Sequence, residues 1–503
     1  VSAEELSRAV AEFDELQREA FAYQYAQQVI NYDEETVGPE KGVDARGEAM
    51  AVLAAREHEV SCGPRARALV ERLRGHEGEL DRLHADELRV FARACEEDRR
   101  IPDQECADFA RLTAAAGPAW KRAKAASDYA LFEPYLADIV ASLKRQAALL
   151  DADRDPYEVL IDRFERGLTR ATLDDFFAGV QREVSPLVRA IQERGWQPDD
   201  SFFHAHVDAD VQREVCARVG DLMGIDRAAL AVGDTEHPFT DGFSHGDVRI
   251  ANHIYEDNLP SALLSFVHEG GHALYEQGID PAYDYTCLRG GVSMGVHESQ
   301  SRFMENVIAR SEAFCTQLLP ILRACVPGVY DDVDARALFL ALAKSEPGLV
   351  RTEADELTYP LHILVRYRVE AALFADEVSV HDAPALWNEL MVEYLGVEVT
   401  DDAHGILQDT HWANGTFGYF PSYAIGSAYA AQFLHAMEAS FDVEAAVAAG
   451  DLGPVRAWLG ERVWRHGSAK DPARVVLDAT GEAFDPRYYT DYLVRKYRGV
   501  YGL

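Results

Sequence analysis

Apolar side chains recur every three or four residues along almost all of this 503-residue chain, and that period commits it to helices packed on helices. From Ala3 to about Ile30, one helical face carries Leu6, Val10, Phe13, Leu16, Phe21, Tyr25 and Val29. Similar runs cover about 45–60, 64–100, 103–150, 171–195 and 208–223, then 301–327, 334–346, 353–376, 384–395 and 421–447. Breakers separate them at Gly63-Pro64, Asp155-Pro156, Glu346-Pro347-Gly348 and Gly453-Pro454. The rhythm fails over residues 231–256. There Val248 and Ile250 alternate with Asp247, Arg249 and Ala251, which predicts a short strand, and Asp241-Gly242 and His245-Gly246 read as turns. The expectation is a mainly α protein with a small sheet. With no long linker or repeat, 1–503 reads as one unit, with an N-terminal helical lobe over about 1–225 and a catalytic region over about 226–503.

Charge narrows the partners. Lys and Arg number 49 and Asp and Glu 86, for a formal charge of −37. A nucleic-acid binder needs a basic face, and an anionic membrane surface would repel this chain, so neither is expected as a partner. At 48% hydrophobic the chain has ample side chains for a core. No stretch approaches the roughly 18–20 apolar residues of a membrane span. Val1-Ser2-Ala3-Glu4-Glu5 has neither a basic n-region nor an apolar h-region, so no signal peptide is expected. Cys62, Cys95, Cys106, Cys216, Cys287, Cys315 and Cys325 are odd in number and form no CxxC pair, which favours free thiols in a reducing compartment.

Chemistry concentrates in Val267-His268-Glu269-Gly270-Gly271-His272, an H-E-x-x-H motif. On a helix His268 and His272 share a face and can reach one metal ion. Glu269, about 100° round the axis, can act on a water beside that ion. Pro260 and Ser261 suit the start of this helix and Gly278 its end. Gly270 and Gly271 each cost about 1 kcal/mol relative to Ala in a helix interior, so something must approach closely there. A catalytic zinc site needs a third protein ligand. Glu298 leads on spacing, with His297 and Glu305 as rivals; Glu305 could equally be an acceptor behind a ligand or a salt-bridge residue.

Taken together with other motifs, these residues resemble the M32 carboxypeptidases, the carboxypeptidase Taq family. The motifs are His268–His272 with the following Ala-Leu-Tyr-Glu-Gln-Gly, His297-Glu298-Ser299-Gln300, His237-Pro238-Phe239, Val350-Arg351-Thr352-Glu353-Ala354-Asp355 and Gly405-Ile406-Leu407-Gln408-Asp409-Thr410-His411-Trp412. Asp247-Val248-Arg249-Ile250-Ala251 resembles the family's Asp-x-Arg-x-Thr, with Ala251 in place of Thr. The tail Phe417–Gly426 is also similar, and Asn31–Thr36 is a looser match. The resemblance implies a neurolysin-like helical metallopeptidase with a small sheet beside a long groove. It implies a cytoplasmic homodimer that removes single C-terminal residues from peptides with broad specificity. It also implies one divalent ion per subunit, zinc first and cobalt as the alternative, with Glu298 as third ligand.

Within that frame Glu269 is the expected general base. Arg351 is the expected contact for the substrate carboxylate, since a guanidinium matches two carboxylate oxygens; the competing reading is an i,i+4 ion pair with Asp355. Arg249 contacts substrate or pairs structurally with Asp247. His237, His411 and Tyr423 are candidates to bind the carboxylate or an oxyanion. Asp409 could stand behind a metal-bound histidine. His204 and His206 could share a strand face. Two other functions compete: an oligopeptidase cutting internal bonds on a similar scaffold, and a catalytically silent peptide-binding protein.

Overall fold

The structure, a computed structural model, describes residues 3–503. Helices dominate, from Ala3–Thr36 to Arg487–Tyr501, with one small sheet between residues 230 and 252. The breakers act where the sequence places them. Pro64 opens the Pro64–Arg74 helix, Asp155 caps Pro156–Asp162 through the Tyr157 and Glu158 amides, and Gly453–Arg462 begins at Gly453-Pro454.

Several boundaries differ from expectation. The 64–100 run divides at Gly75 and the 103–150 run at Ser127, which caps Asp103–Ala126 in a left-handed conformation (φ 50°). The 301–327 run is three pieces: the end of Met294–Arg302, a π-helical turn over Phe303–Ala309, and Glu312–Cys325. The C-terminal helices Gly453–Arg462, Pro472–Thr480 and Arg487–Tyr501 lie beyond the runs read from sequence.

The sheet has three strands, β1 (Leu230–Asp234), β2 (Phe239–Ser244) and β3 (Asp247–Asn252), in the order β1-β3-β2. β1 runs parallel to β3 and β2 antiparallel to it. His245-Gly246 is the expected turn, but Asp241-Gly242 lies inside β2, where the register shifts between Gly242 and Ser244. His204 ends a 3-10 turn and His206 follows in a loop, so they share no strand.

Ala251 is fully buried and pairs in register with Gly233. A Cβ on Gly233 would stand 2.6 Å from the Tyr32 hydroxyl and 3.0 Å from Thr36, so this part of the sheet is covered by the first helix. A small residue at 251 suits that cover.

The main core gathers side chains from Ala116 to Tyr501, and a smaller one joins Phe13, Leu16, Leu69, Leu88 and Phe91 among the first helices. Two glycines set the spacing at the centre. A Cβ on Gly271 would lie 2.4 Å from the Gln300 carbonyl oxygen and 2.6 Å from the Ser301 Cα, so the Leu259–Gly278 and Met294–Arg302 helices touch backbone to backbone. A Cβ on Gly426 would lie 2.7 Å from the Glu298 Cβ, which brings in the Phe420–Glu438 helix from the other side. Gly271→Ala should therefore separate the first two helices and lower Tm by the equivalent of about 1–3 kcal/mol or more. Calorimetry with parallel metal analysis checks this; unchanged Tm and metal content would refute the packing argument.

Candidate active site

Asn258 caps the Leu259–Gly278 helix by accepting from the Ser261 amide, and the helix carries His268 and His272 on one face. Ser293 caps Met294–Arg302, and the Gly271 contact brings Glu298 on that helix opposite both histidines. Glu298 Oε2 lies 3.6 Å from His268 Nε2 and 3.6 Å from His272 Nε2. Donor atoms bound at about 2.1 Å to one tetrahedral ion stand roughly 3.4 Å apart, so this spacing fits a divalent ion.

The outer ring nitrogens are held by neighbours. His268 Nδ1 lies 2.9 Å from Glu305 Oε2, and His272 Nδ1 lies 2.6 Å from His297 Nδ1, whose Nε2 lies 2.7 Å from Glu276 Oε1. Acceptance by Glu305 puts the His268 proton on Nδ1. Acceptance by Glu276 puts the His297 proton on Nε2, so His297 Nδ1 accepts from His272. Both arrangements leave the Nε2 lone pairs facing Glu298, the tautomers a metal needs. Of the three rivals for third ligand, Glu298 thus joins the two histidines while Glu305 and His297 support them from behind.

The π-helical turn places Glu305. It accepts from Arg302 at 3.3 Å and Arg310 at 3.1 Å, while Arg302 Nε donates to Glu298 Oε1 at 2.7 Å. Burial alone would raise both carboxyl groups, but Arg302 and the histidines outweigh it and hold Glu298 and Glu305 far below the usual range. Burial lowers His272 to about 4, against the pull of Glu298. At His268 burial lowers the pKa, but Glu298 and the Glu305 hydrogen bond outweigh it and raise it. Two imidazoles and an ionised carboxylate form a donor set suited to a borderline cation, which would take the place of the proton that these carboxylates favour on His268. Glu269 is 6% exposed and accepts from Thr240 Oγ1 on β2 at 2.7 Å through Oε2. Burial raises its carboxyl pKa, opposed by His268 and the Thr240 hydrogen bond.

A second charged cluster sits beside the first. Arg351 Nε and one terminal nitrogen donate to Asp409 Oδ1 at 3.0 and 2.8 Å, and Arg366 Nε donates to Asp409 Oδ2 at 2.7 Å. The Arg351–Asp355 pair of the competing reading does not form; Asp355 instead accepts from the Leu357, Thr358 and Glu346 amides. Asp409 likewise does not stand behind a histidine of the metal cluster, because two guanidinium groups occupy both its oxygens. Two cations share one anion, which leaves one net positive charge in a buried setting. Tyr359 links the clusters: its hydroxyl accepts from Arg351 at 3.0 Å, and its ring lies 4.2 Å from the Arg302 guanidinium carbon.

His411 Nε2 lies 3.2 Å from the Tyr423 hydroxyl, and the Tyr423 ring lies 5.1 Å from the Arg351 guanidinium carbon. His411 Nδ1 is buried with no partner among the described residues. Burial, reinforced by Arg351 and Arg366 against Asp409, lowers His411 to about 4, so it is neutral at pH 7. Arg249 is held by Asp247 at 3.0 and 3.1 Å, and Tyr25 from the first helix donates to the same carboxylate at 2.6 Å. His237 is exposed in the β1–β2 loop and makes no side-chain hydrogen bond among the described residues.

The comparisons with known proteins agree with this geometry. The family described as carboxypeptidase Taq (M32) metallopeptidase matches residues 12–497. The chain belongs to the M32 family. This M32 protein is 37% identical to carboxypeptidase 1 of Bacillus subtilis over 97% of its own length and 98% of the relative's. It is 36% identical to thermostable carboxypeptidase 1 of Thermus thermophilus, over 97% and 98% of the two chains. The crystal structure of the M32 carboxypeptidase from Deinococcus radiodurans superposes with a TM-score of 0.96 at 31% identity, over 99% of this chain and all of that one. The M32 chain is accordingly a metal-dependent carboxypeptidase acting on peptides. Among its described residues no helix is long and apolar enough to cross a membrane.

Arg366 and Glu276 were not singled out from the sequence. Arg366 interrupts the apolar run Leu361–Tyr367, and Glu276 stands four residues after His272 on the same helical face; either pattern could have flagged them.

Proposed function

We propose that this M32 carboxypeptidase releases single residues from peptide C-termini with broad specificity, using one divalent ion per subunit held by His268, His272 and Glu298. Zinc is the first choice for two imidazoles and a carboxylate, and cobalt the alternative. When bound, the ion would polarise the scissile carbonyl and lower the pKa of a water ligand toward about 7. Glu269 is the general base: with Oε2 taken by Thr240, Oε1 takes the proton of the attacking water and passes it to the leaving amine. Arg351 receives the substrate carboxylate with the N–H groups that Asp409 and Tyr359 leave free, while Arg366 and Asp409 hold it in place. His411 and Tyr423 donate to the carboxylate or to the developing oxyanion, and His237 contacts the peptide from its loop. Of the two readings of Arg249, the bidentate pair with Asp247 supports the structural one.

The observation that carries this reading is the net positive guanidinium cluster one aromatic ring away from the His268–His272–Glu298 trio. An exopeptidase must bind a terminal carboxylate beside the bond it cuts. We also propose a cytoplasmic homodimer whose 1–503 unit comprises a helical lobe over about 1–225 and a catalytic region over about 226–503. The seven free thiols support a reducing compartment. Chelation should lower peptide hydrolysis at least about 100-fold, and Zn2+ or Co2+ should restore it. Mass spectra of the products should show a ladder of single-residue losses from the C-terminus. Internal fragments, or activity that survives verified metal loss, would overturn the proposal.

A further inference from the structure

The active site uses no cysteine, yet two cysteines meet metal-binding side chains in the N-terminal helices. His58 and Cys62 stand one turn apart on the Val43–Cys62 helix, and Cys95 and Asp98 one turn apart on Arg82–Arg100. Donor atoms of His58, Cys62 and Asp98 all lie within 4.8 Å of one another, and His58 Nδ1 is 3.7 Å from Asp98 Oδ1. The Cys95 thiol donates to the Ser61 carbonyl oxygen at 3.1 Å, which sets Cys95 against the residue next to Cys62. An imidazole, a thiol and a carboxylate from two helices thus converge, with the Cys95 thiol one turn from Asp98 on the same helix.

Among the described residues, the other clusters able to hold a metal contain only His, Asp and Glu. Cys95 is buried, Cys62 and Asp98 are half-buried and His58 is exposed, so an ion has a route in from solvent. Arg67 Nε donates to the Cys62 carbonyl at 2.6 Å and fixes the end of that helix beside the cluster.

We propose that His58, Cys62, Cys95 and Asp98 form a second metal site, separate from the active site, that takes a thiophilic divalent ion such as Zn2+ and ties the two helices together. Thiolates select zinc-like ions over hard cations. Ligand atoms on zinc stand about 3.3–3.8 Å apart, so the His58, Cys62 and Asp98 donors draw in by about 1 Å on binding, with exposed His58 the freest to move, and the Cys95 thiol leaves the Ser61 carbonyl to join them. Two S–H bonds break, two metal–sulfur bonds form and two protons pass to the buffer, with no change of oxidation state.

The test is a titration of the full-length enzyme, stripped of metal by a chelator, reloaded with one equivalent of Zn2+ to full peptidase activity and kept reduced by a phosphine, with Co2+ alone. One further equivalent should bind and give a thiolate-to-cobalt charge-transfer band, which an active site of nitrogen and oxygen donors cannot produce. Cys62→Ser and Cys95→Ser should each abolish the band, and His58→Ala should weaken binding by roughly tenfold or more. All three variants should keep wild-type peptidase activity, which shows that they fold. No charge-transfer band in the wild-type protein, or a band that survives both serine variants, would overturn the site.

Discussion

Glu269→Gln is expected to keep its metal and lose its turnover. The amide preserves the shape of the side chain and can still meet Thr240, and Glu269 is not among the three side chains whose donors converge. It cannot accept a proton at neutral pH. General acid–base groups contribute about 10²–10⁴-fold, so kcat should fall by roughly that factor with metal content unchanged. Metal analysis and steady-state kinetics on one sample decide it. Loss of the ion from the variant would make Glu269 a ligand, and near-normal kcat would remove it from proton transfer.

The second large effect is expected at Asp409. Arg366 is fully buried and Arg351 is 8% exposed, and Asp409 is the one anion paired with both. Asp409→Asn leaves two desolvated cations side by side, a change that costs about 3–5 kcal/mol when one partner of a buried pair is removed. Tm should drop accordingly. If the variant is too unstable for kinetics, Arg351→Met separates the roles: it removes the carboxylate contact but leaves the Arg366–Asp409 pair. Arg351→Met should raise KM for short peptides with free C-termini and lower kcat/KM by roughly 10²-fold or more, the equivalent of a lost charge-assisted contact of about 3 kcal/mol. Wild-type kinetics in Arg351→Met would remove Arg351 from substrate binding.

Helices were legible in the sequence because a buried stripe has to repeat with the helical turn. The paired histidines were legible for the same reason, and Gly270-Gly271 announced a close approach that the Gly271–Gln300 backbone contact explains. What escaped depends on pairings between distant segments. Arg351, Arg366 and Asp409 come from three separate pieces of chain, so local spacing could offer Arg351 only the wrong partner, Asp355. The π-helical turn at Phe303–Ala309 shifts the phase of side chains after Arg302, and an α-helical count across it carries no signal of that shift. β1 and β2 escaped because each is short and little of either alternates cleanly, with Val232 half exposed at the sheet edge and a bulge in β2.

The central claim is that a terminal carboxylate is read by a guanidinium cluster beside the metal-binding trio. The most direct test compares kcat/KM for one N-blocked dipeptide with its C-terminal amide, in the wild-type enzyme and in Arg351→Met. The wild-type enzyme should cleave the free acid at least about 100-fold better than the amide, and Arg351→Met should erase most of that preference by slowing only the acid. Equal cleavage of acid and amide by the wild-type enzyme, or an undiminished preference in Arg351→Met, would contradict the account.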